Sequence, residues 1–293
     1  LLGASYLNLR SYREANYYYQ RGLEIARQSE NDLLIASLLN SIAFFDQTQD
    51  NTEAAIEKFK QSLNIILIHG IKEHEQSLLD NLCLAYLELN DITTALEYCL
   101  DSLDIAQRLG NLSRLSRAFN NLGFVYFKSG NLEEAETKVT EAIAILEILF
   151  KNIADDPDSQ MTLGDTLISY NLLQRILVAQ QKHEEALAIA EQSRAKASVN
   201  LLTQRIGVEV NVSNIDAALS VDDIRKIARD NNAVLVEYSL ILESYLNHGG
   251  VRGNTAEIYT WVIQPTGEIN FHQTLLDAQG FDFQDIASKI QVS

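Results

Sequence analysis

The chain is poor in cysteine, proline and methionine, with two, two and one in 293 residues. Two cysteines, Cys83 and Cys99, are too few for a disulfide scaffold and lack the second pair that a zinc site needs. A reducing compartment fits, and both are expected to be buried packing residues. With two prolines, long stretches are free to be helical. The first residue is Leu1 and the only methionine is Met161, so the chain is expected to be an internal fragment. Cations are also scarce: 23 Lys and Arg against 40 Asp and Glu leave a net charge of -17. That field repels phosphate backbones and anionic lipid, so neither nucleic acid nor a membrane is an expected partner. No apolar run approaches the ~20 residues that cross a bilayer, and no basic stretch followed by a short apolar core opens the sequence. The expectation is a cytoplasmic protein. Its 46% apolar content can bury a sizeable core, and at ~150 residues per domain the length suggests two domains.

What the chain has is a repeat of period 40. Leu2, Ile42, Leu82 and Leu122 stand 40 apart, and thirteen residues after each comes Ala15, Ala55, Ala95 or Ala135. A small residue follows each leucine or isoleucine (Gly3, Ala43, Cys83, Gly123), and another comes twenty after it (Gly22, Ser62, Ser102, Ala142). Small residues at fixed places imply close helix contacts. Ser11, Asn51, Asp91 and Asn131 recur between these anchors as expected N-caps of a second helix, with Ser11 and Glu14 in capping-box form. Gly70 and Gly110 suit the left-handed residue that ends it. Each unit therefore reads as helix, turn, helix.

Asn120-Asn121-Leu122-Gly123, Tyr126, Gly130, Glu134-Ala135 and Ala142 resemble the tetratricopeptide repeat closely. The common repeat is ~34 residues long, so the six extra point to the long-helix variety that kinesin light chains resemble. Leu173, Leu177, Ala186, Ala190 and Ser193 keep the spacing of a fifth unit, displaced by an acidic surface loop at Ala154-Asp155-Asp156-Pro157-Asp158. Asp46 departs from Tyr6, Tyr86 and Tyr126 at the matching position. The resemblance implies a mainly α solenoid whose first helices line a groove that binds a peptide or protein.

At about 100° per residue, positions five and two before and two after the repeat leucine form one stripe toward that groove. It holds Ser37, Asn40 and Phe44; Ser77, Asp80 and Leu84; Arg117, Asn120 and Phe124; and Ile168, Asn171 and Arg175, with Asn81 and Asn121 one residue further on. An asparagine inside a helix costs about 0.6 kcal/mol relative to alanine. Two readings of the asparagines stay open. They hold a partner's backbone, with Phe44, Leu84 and Phe124 in apolar contact, or they bond to the neighbouring helix.

Past about residue 205 the repeat spacing ends. Val234 to Leu242 is apolar on both faces, as in a strand covered on each side of a mixed α/β sheet. A short helix, 220–231, precedes it. Glu257 to Gln264 and Glu268 to His272 form a hairpin turned by Pro265-Thr266-Gly267. Gly249, Gly250 and Gly253 lie in a connector with no phosphate-loop lysine after it. Glu191-Gln192-Ser193-Arg194-Ala195-Lys196-Ala197, Leu201-Leu202, Ala233 to Ser239, Tyr259 to Ile263 and Pro265-Thr266-Gly267 resemble the opening of a CHAT domain, a caspase-like family with a histidine–cysteine dyad. The expected domains are thus a repeat array at 1–205 and a partial caspase-like α/β segment at 206–293.

That dyad is expected beyond the chain. Cys83 and Cys99 belong to the repeat, and His248-Gly249 has no cysteine downstream. His69 and His74 lack a third metal ligand, so no catalytic residue, metal or cofactor is assigned. The expected function is binding, with regulation of an attached peptidase. The alternative is a peptidase fragment whose repeats only stabilise or oligomerise it.

Overall fold

The computed structural model describes residues 2–151, 159–206, 218–242, 245–247, 250–252 and 256–276. The helices among them are α1 (Leu2–Asn8), α2 (Tyr12–Gln28), α3 (Asp32–Thr48), α4 (Thr52–His69), α5 (Lys72–Glu88), α6 (Ile92–Leu109), α7 (Leu112–Lys128), α8 (Leu132–Lys151), α9 (Ser159–Ala179), α10 (His183–Ile206) and α11 (Val221–Asp230). The strands are β1 (Leu235–Leu242), β2 (Tyr245–Asn247), β3 (Gly250–Arg252), β4 (Ala256–Ile263) and β5 (Ile269–Leu276). The acidic loop expected at 154–158 lies outside the described residues. Two compact units result: Leu1–Ile145 with Leu246–Val251, and Leu146–Tyr245 with Arg252–Ser293.

In the first unit the period of 40 becomes four antiparallel hairpins, held by two recurring contacts between their helices. One joins residues sixteen apart. A Cβ on Gly3 would lie 2.6 Å from Tyr19, and one on Gly123 would lie 2.5 Å from Val139. A small residue therefore admits a large one across the helix crossing. The third hairpin fills this place with the disulfide Cys83–Cys99, its Cα atoms 5.3 Å apart. This corrects the expectation of two separate packing cysteines: period and handedness place both thiols at one crossing point, which their spacing along the chain does not announce.

The other contact joins residues twelve apart. Tyr6 stacks on Tyr18 and Tyr86 on Tyr98, with ring centroids 5.2 and 5.5 Å apart. Asp46, the departure from the tyrosine pattern, meets Lys58 at 2.6 Å in the equivalent place. One hairpin thus exchanges an aromatic pair for an ion pair. Asp46→Tyr alone should lower stability by about 1 kcal/mol because a half-buried lysine loses its counter-charge, and adding Lys58→Tyr should restore it. Urea unfolding of the four-member cycle checks this, and effects that add within ~0.3 kcal/mol would refute the pairing.

Gly70 and Gly110 end α4 and α6 at φ 67°, as expected. Arg10, Asp50, Asn90 and Gly130 hold positive φ in the turn within each hairpin, again 40 apart. Of the expected N-caps, Asp91 accepts from Thr94 N, whereas Ser11 and Asn51 make no side-chain cap bond. Asn31 and Asn111 cap the first helices α3 and α7 instead, and the capping box falls at Ser220 and Asp223 on α11.

In the second unit β1, β4 and β5 form an antiparallel sheet in the order β1-β4-β5. Its inner face meets the α9–α10 hairpin. Trp261 Nε1 donates to His183 O at 2.7 Å, the His183 ring stacks on Phe271 at 4.2 Å, and Arg194 pairs with Glu237. These contacts explain why the fifth hairpin groups with the strands rather than with the first four. The expectation that β1 is covered on both faces is corrected, since Val236 and Tyr238 are 56% and 63% exposed on the outer side. The described sheet is wholly antiparallel, and its helices pack on the inner face. β2 and β3 pair with each other where the sequence suggested a plain connector.

Candidate functional site

The stripe residues of the first unit recur on α3, α5 and α7. Amphipathic spacing sets each helix against its own partner and leaves these positions to meet the first helices on either side. Their burial rises along the array. Ser37 is exposed, Ser77 half-buried and Arg117 buried; Asn40 is half-buried, whereas Asp80 and Asn120 are buried. Phe44, Leu84 and Phe124 are all covered.

Asp80 does not point outward as the stripe geometry expected. Its Oδ1 accepts from Ser102 Oγ at 2.6 Å and its Oδ2 from Gln76 Nε2 at 2.7 Å, so it ties α5 to α6. Gln76 also donates to Ser102, and Arg114 reaches from α7 to Gln76 Oε1, Ser77 Oγ and Glu73 O at 2.8 to 3.0 Å. Burial raises the Asp80 pKa, against the lowering effects of Ser102, the Arg117 charge, Asn121 and Gln76. The folded state therefore holds the Asp80 proton to higher pH than the unfolded chain does. Its contribution to stability is full below the unfolded carboxylate pKa of about 4 and is lost as pH rises through the folded value. Asp80→Asn should remove that fall, so the difference in urea midpoint between variant and parent should grow in the variant's favour above about pH 4. A difference independent of pH would contradict the assignment.

Asn81 Nδ2 donates to Asn40 Oδ1 at 3.0 Å, linking α5 to α3. For this pair the helix-to-helix reading holds. Other carboxamide atoms are buried without a hydrogen-bond partner: Asn81 Oδ1, Asn120 Oδ1, and both Nδ2 and Oδ1 of Asn121. Asn121 thus lies near enough to Asp80 to lower its pKa without completing a bond of ordinary geometry. An unsatisfied buried polar group costs about 1–3 kcal/mol, so the unpaired atoms of Asn120 and Asn121 detract from the stability of the free chain.

Where the wall is less covered, a cleft of about 340 Å³ opens between the second and third hairpins. Its floor includes Ala36, Ile66 and Leu78, and its rim includes Ser37, Asn40, His74 and Ser77. Arg114 was missed by the sequence reading and His74 was weighed there only as a metal ligand, although each stands three residues before a stripe position, one helical turn beyond where the stripe was stopped. At the other end of these helices Gln47 and Thr52 both donate to Glu88 Oε2 at 3.0 Å, fixing the second hairpin to the third.

Asn171 and Arg175 belong to the second unit. Asn171 is half-buried, and the Arg175 guanidinium lies 3.6 Å from Glu257, beside Tyr259. Arg175 thus anchors α9 to β4, a role the stripe geometry did not suggest because the sheet is remote in sequence. No group of three or more metal-ligating side chains occurs among the described residues, and no described helix is long and apolar enough to cross a membrane.

Residues 75–148 match the family model described as Tetratricopeptide repeat. Human Tetratricopeptide repeat protein 28 is 30% identical over 159 residues, which is 54% of this chain but 6% of that protein. The chain thus spans a small part of that relative. Among solved structures, BtubC (BKLC) from P. vanneervenii is similar with a TM-score of 0.58 at 19% identity, over 68% of this chain and 78% of its own. A Rap protein complexed with Competence and Sporulation Factor gives a TM-score of 0.56 at 15% identity, over 78% and 66%. At these identities the likeness concerns the fold alone. Residues 75–148 thus match the tetratricopeptide repeat, and the paired helices as a whole have the fold of such a solenoid.

Proposed function

We propose that the chain is a protein-interaction module that takes up a peptide or protein segment on the wall formed by α3, α5 and α7. The observation that carries this is the set of buried, unpaired carboxamide atoms on Asn81, Asn120 and Asn121. A carboxamide can both donate to and accept from a peptide main chain, so these groups suit a partner's backbone. The cleft at Asn40 and Ser77 adds room for a side chain. The Rap structure named above, in complex with a factor, supports the use of this fold for recognition. Phe44, Leu84 and Phe124 supply apolar contact, and Arg117 sets charge at the far end. The second unit, through its resemblance to the opening of a CHAT domain, makes the module a regulator of an attached caspase-like peptidase. The setting is cytoplasmic.

The test is to pan a random-peptide display library on the immobilised chain and measure the enriched peptides by fluorescence anisotropy. Asn120→Ala with Asn121→Ala should weaken them at least tenfold while the melting temperature stays level or rises, because unpaired buried groups have been removed. Failure to enrich any peptide, or unchanged affinity with a large loss of stability, would favour the alternative in which the repeats only stabilise or oligomerise the chain.

A further inference from the structure

The period of 40 makes each junction between first helices a copy of the one before, so two junctions can be compared position by position. Between α5 and α7, Arg114 Nη1 donates to Glu73 O, Gln76 Oε1 and Ser77 Oγ at 2.9, 2.8 and 3.0 Å. One period earlier the three receiving residues are Leu33, Ala36 and Ser37 on α3, and His74 on α5 stands for Arg114. All four line the cleft of about 340 Å³ between the second and third hairpins. The chain therefore closes the later junction with its own guanidinium and leaves the earlier one open. An imidazole is shorter than an arginine, and Ala36 has no side-chain acceptor to draw a donor across.

Much of what holds the Arg114 guanidinium recurs at the open junction. Leu33 O corresponds to Glu73 O, and Ser37 Oγ to Ser77 Oγ. Ile66 and Leu78 stand where Ala106 and Ala118 stand later, so the floor gives more apolar surface to the methylene stem of a long side chain. The surrounding charge suits a cation. Asp32 and Glu73, which adjoin Leu33 and His74, are exposed carboxylates, whereas Lys72 is held by Glu75 at 2.5 Å. We infer that this cleft takes an arginine side chain of the bound segment, its guanidinium on Leu33 O and Ser37 Oγ and its stem on Ile66 and Leu78. This rests on reading the wall as a peptide-binding surface. Lysine brings the charge without the planar fork that reaches two acceptors at once.

The probes are fluorescein-labelled hexapeptide pools, each with one position fixed as Arg, Lys, Glu, Leu or Phe and the others varied, titrated by anisotropy against the whole chain. At one position the arginine pool should bind about tenfold more tightly than the leucine and phenylalanine pools, with lysine between them. Ala36→Gln with His74→Arg copies the α5–α7 arrangement into the cleft and should cut that preference below about twofold while the urea midpoint is held or raised. Ser37 is exposed, so Ser37→Lys leaves the core alone. It should weaken the arginine pool by about tenfold and turn the preference toward glutamate. Arginine preferred at no position, or equally at all of them as the net charge of -17 alone would give, overturns the inference while the binding wall stands. So does a preference that either folded variant leaves intact. If no pool binds saturably, the wall reading fails and the arginine pocket fails with it.

Discussion

Complete reduction of Cys83–Cys99 should lower the stability of the chain by about 3 kcal/mol, the chain-entropy value for a cross-link closing a loop of this size. The bond spans a sequence separation of 16, from the middle of α5 to the middle of α6. Both sulfurs are buried, so a reductant reaches them only when the third hairpin opens. Urea unfolding with and without reductant, with thiol titration to verify full reduction, measures the effect. An unchanged midpoint would show that the unfolded chain gains little freedom. Cys83→Gly with Cys99→Val, which copies the Gly123 and Val139 pair of the fourth hairpin, should regain the packing but not the loop constraint. It should therefore resemble the reduced chain rather than the oxidised one. In a reducing cytoplasm, the setting proposed above, the third hairpin would operate in this less stable dithiol form.

The second large effect is expected at Gly123, with a sign opposite to helix propensity. Glycine to alanine within a helix ordinarily gains about 1 kcal/mol. Here the added Cβ would lie 2.5 Å from Val139 Cγ2 and 3.3 Å from both Ala135 O and Val139 N. The valine can yield, but the main chain of α8 cannot retreat without opening the hairpin. Gly123→Ala should therefore cost about 1–3 kcal/mol, as overpacking does. Val139→Ala in the same chain should relieve the methyl contact and leave the two main-chain ones. Gly164→Ala is the control: it is also helical, nothing lies within 4 Å of its Cβ position, and it should gain about 1 kcal/mol. Thermal or urea unfolding of the three variants decides the matter. A stabilised Gly123→Ala chain would mean that the helices do not cross as closely as the small-residue spacing implies.

Much of the fold was legible because it depends on spacing along the chain. The recurrence of Leu2, Ile42, Leu82 and Leu122 with their alanines located the hairpins, and Gly70 and Gly110 marked where second helices end. Helix α10 (His183–Ile206) carries the Ala186, Ala190 and Ser193 spacing of the fifth unit, and the Pro265-Thr266-Gly267 turn joins β4 to β5. The capping positions were less legible. Ser11 and Asn51 look like caps, yet they make no cap bond, whereas Asp91, preceded by the same left-handed turn, does.

The candidate site was legible as a set of positions but not as a set of bonds. A stripe at 100° per residue names Asn40, Asp80 and Asn120 as equivalents. It does not reveal that Asp80 turns toward Ser102 on its own second helix while Asn40 accepts from Asn81 on the next first helix. The difference arises from what faces each one, and in the third hairpin a serine and a glutamine offer donors that draw the carboxyl inward.

By itself the sequence determined the repeat, its length and the pairing of helices, because 3.6-residue periodicity and small residues at crossings act over distances that the chain directly encodes. Only the tertiary structure decided that Cys83 meets Cys99, that Lys58 answers Asp46, that the sheet has one open face, and that three asparagines are buried with atoms unpaired. Those outcomes depend on side chains brought together from separate elements, and their energies are set by burial and partner geometry, quantities that no local pattern carries.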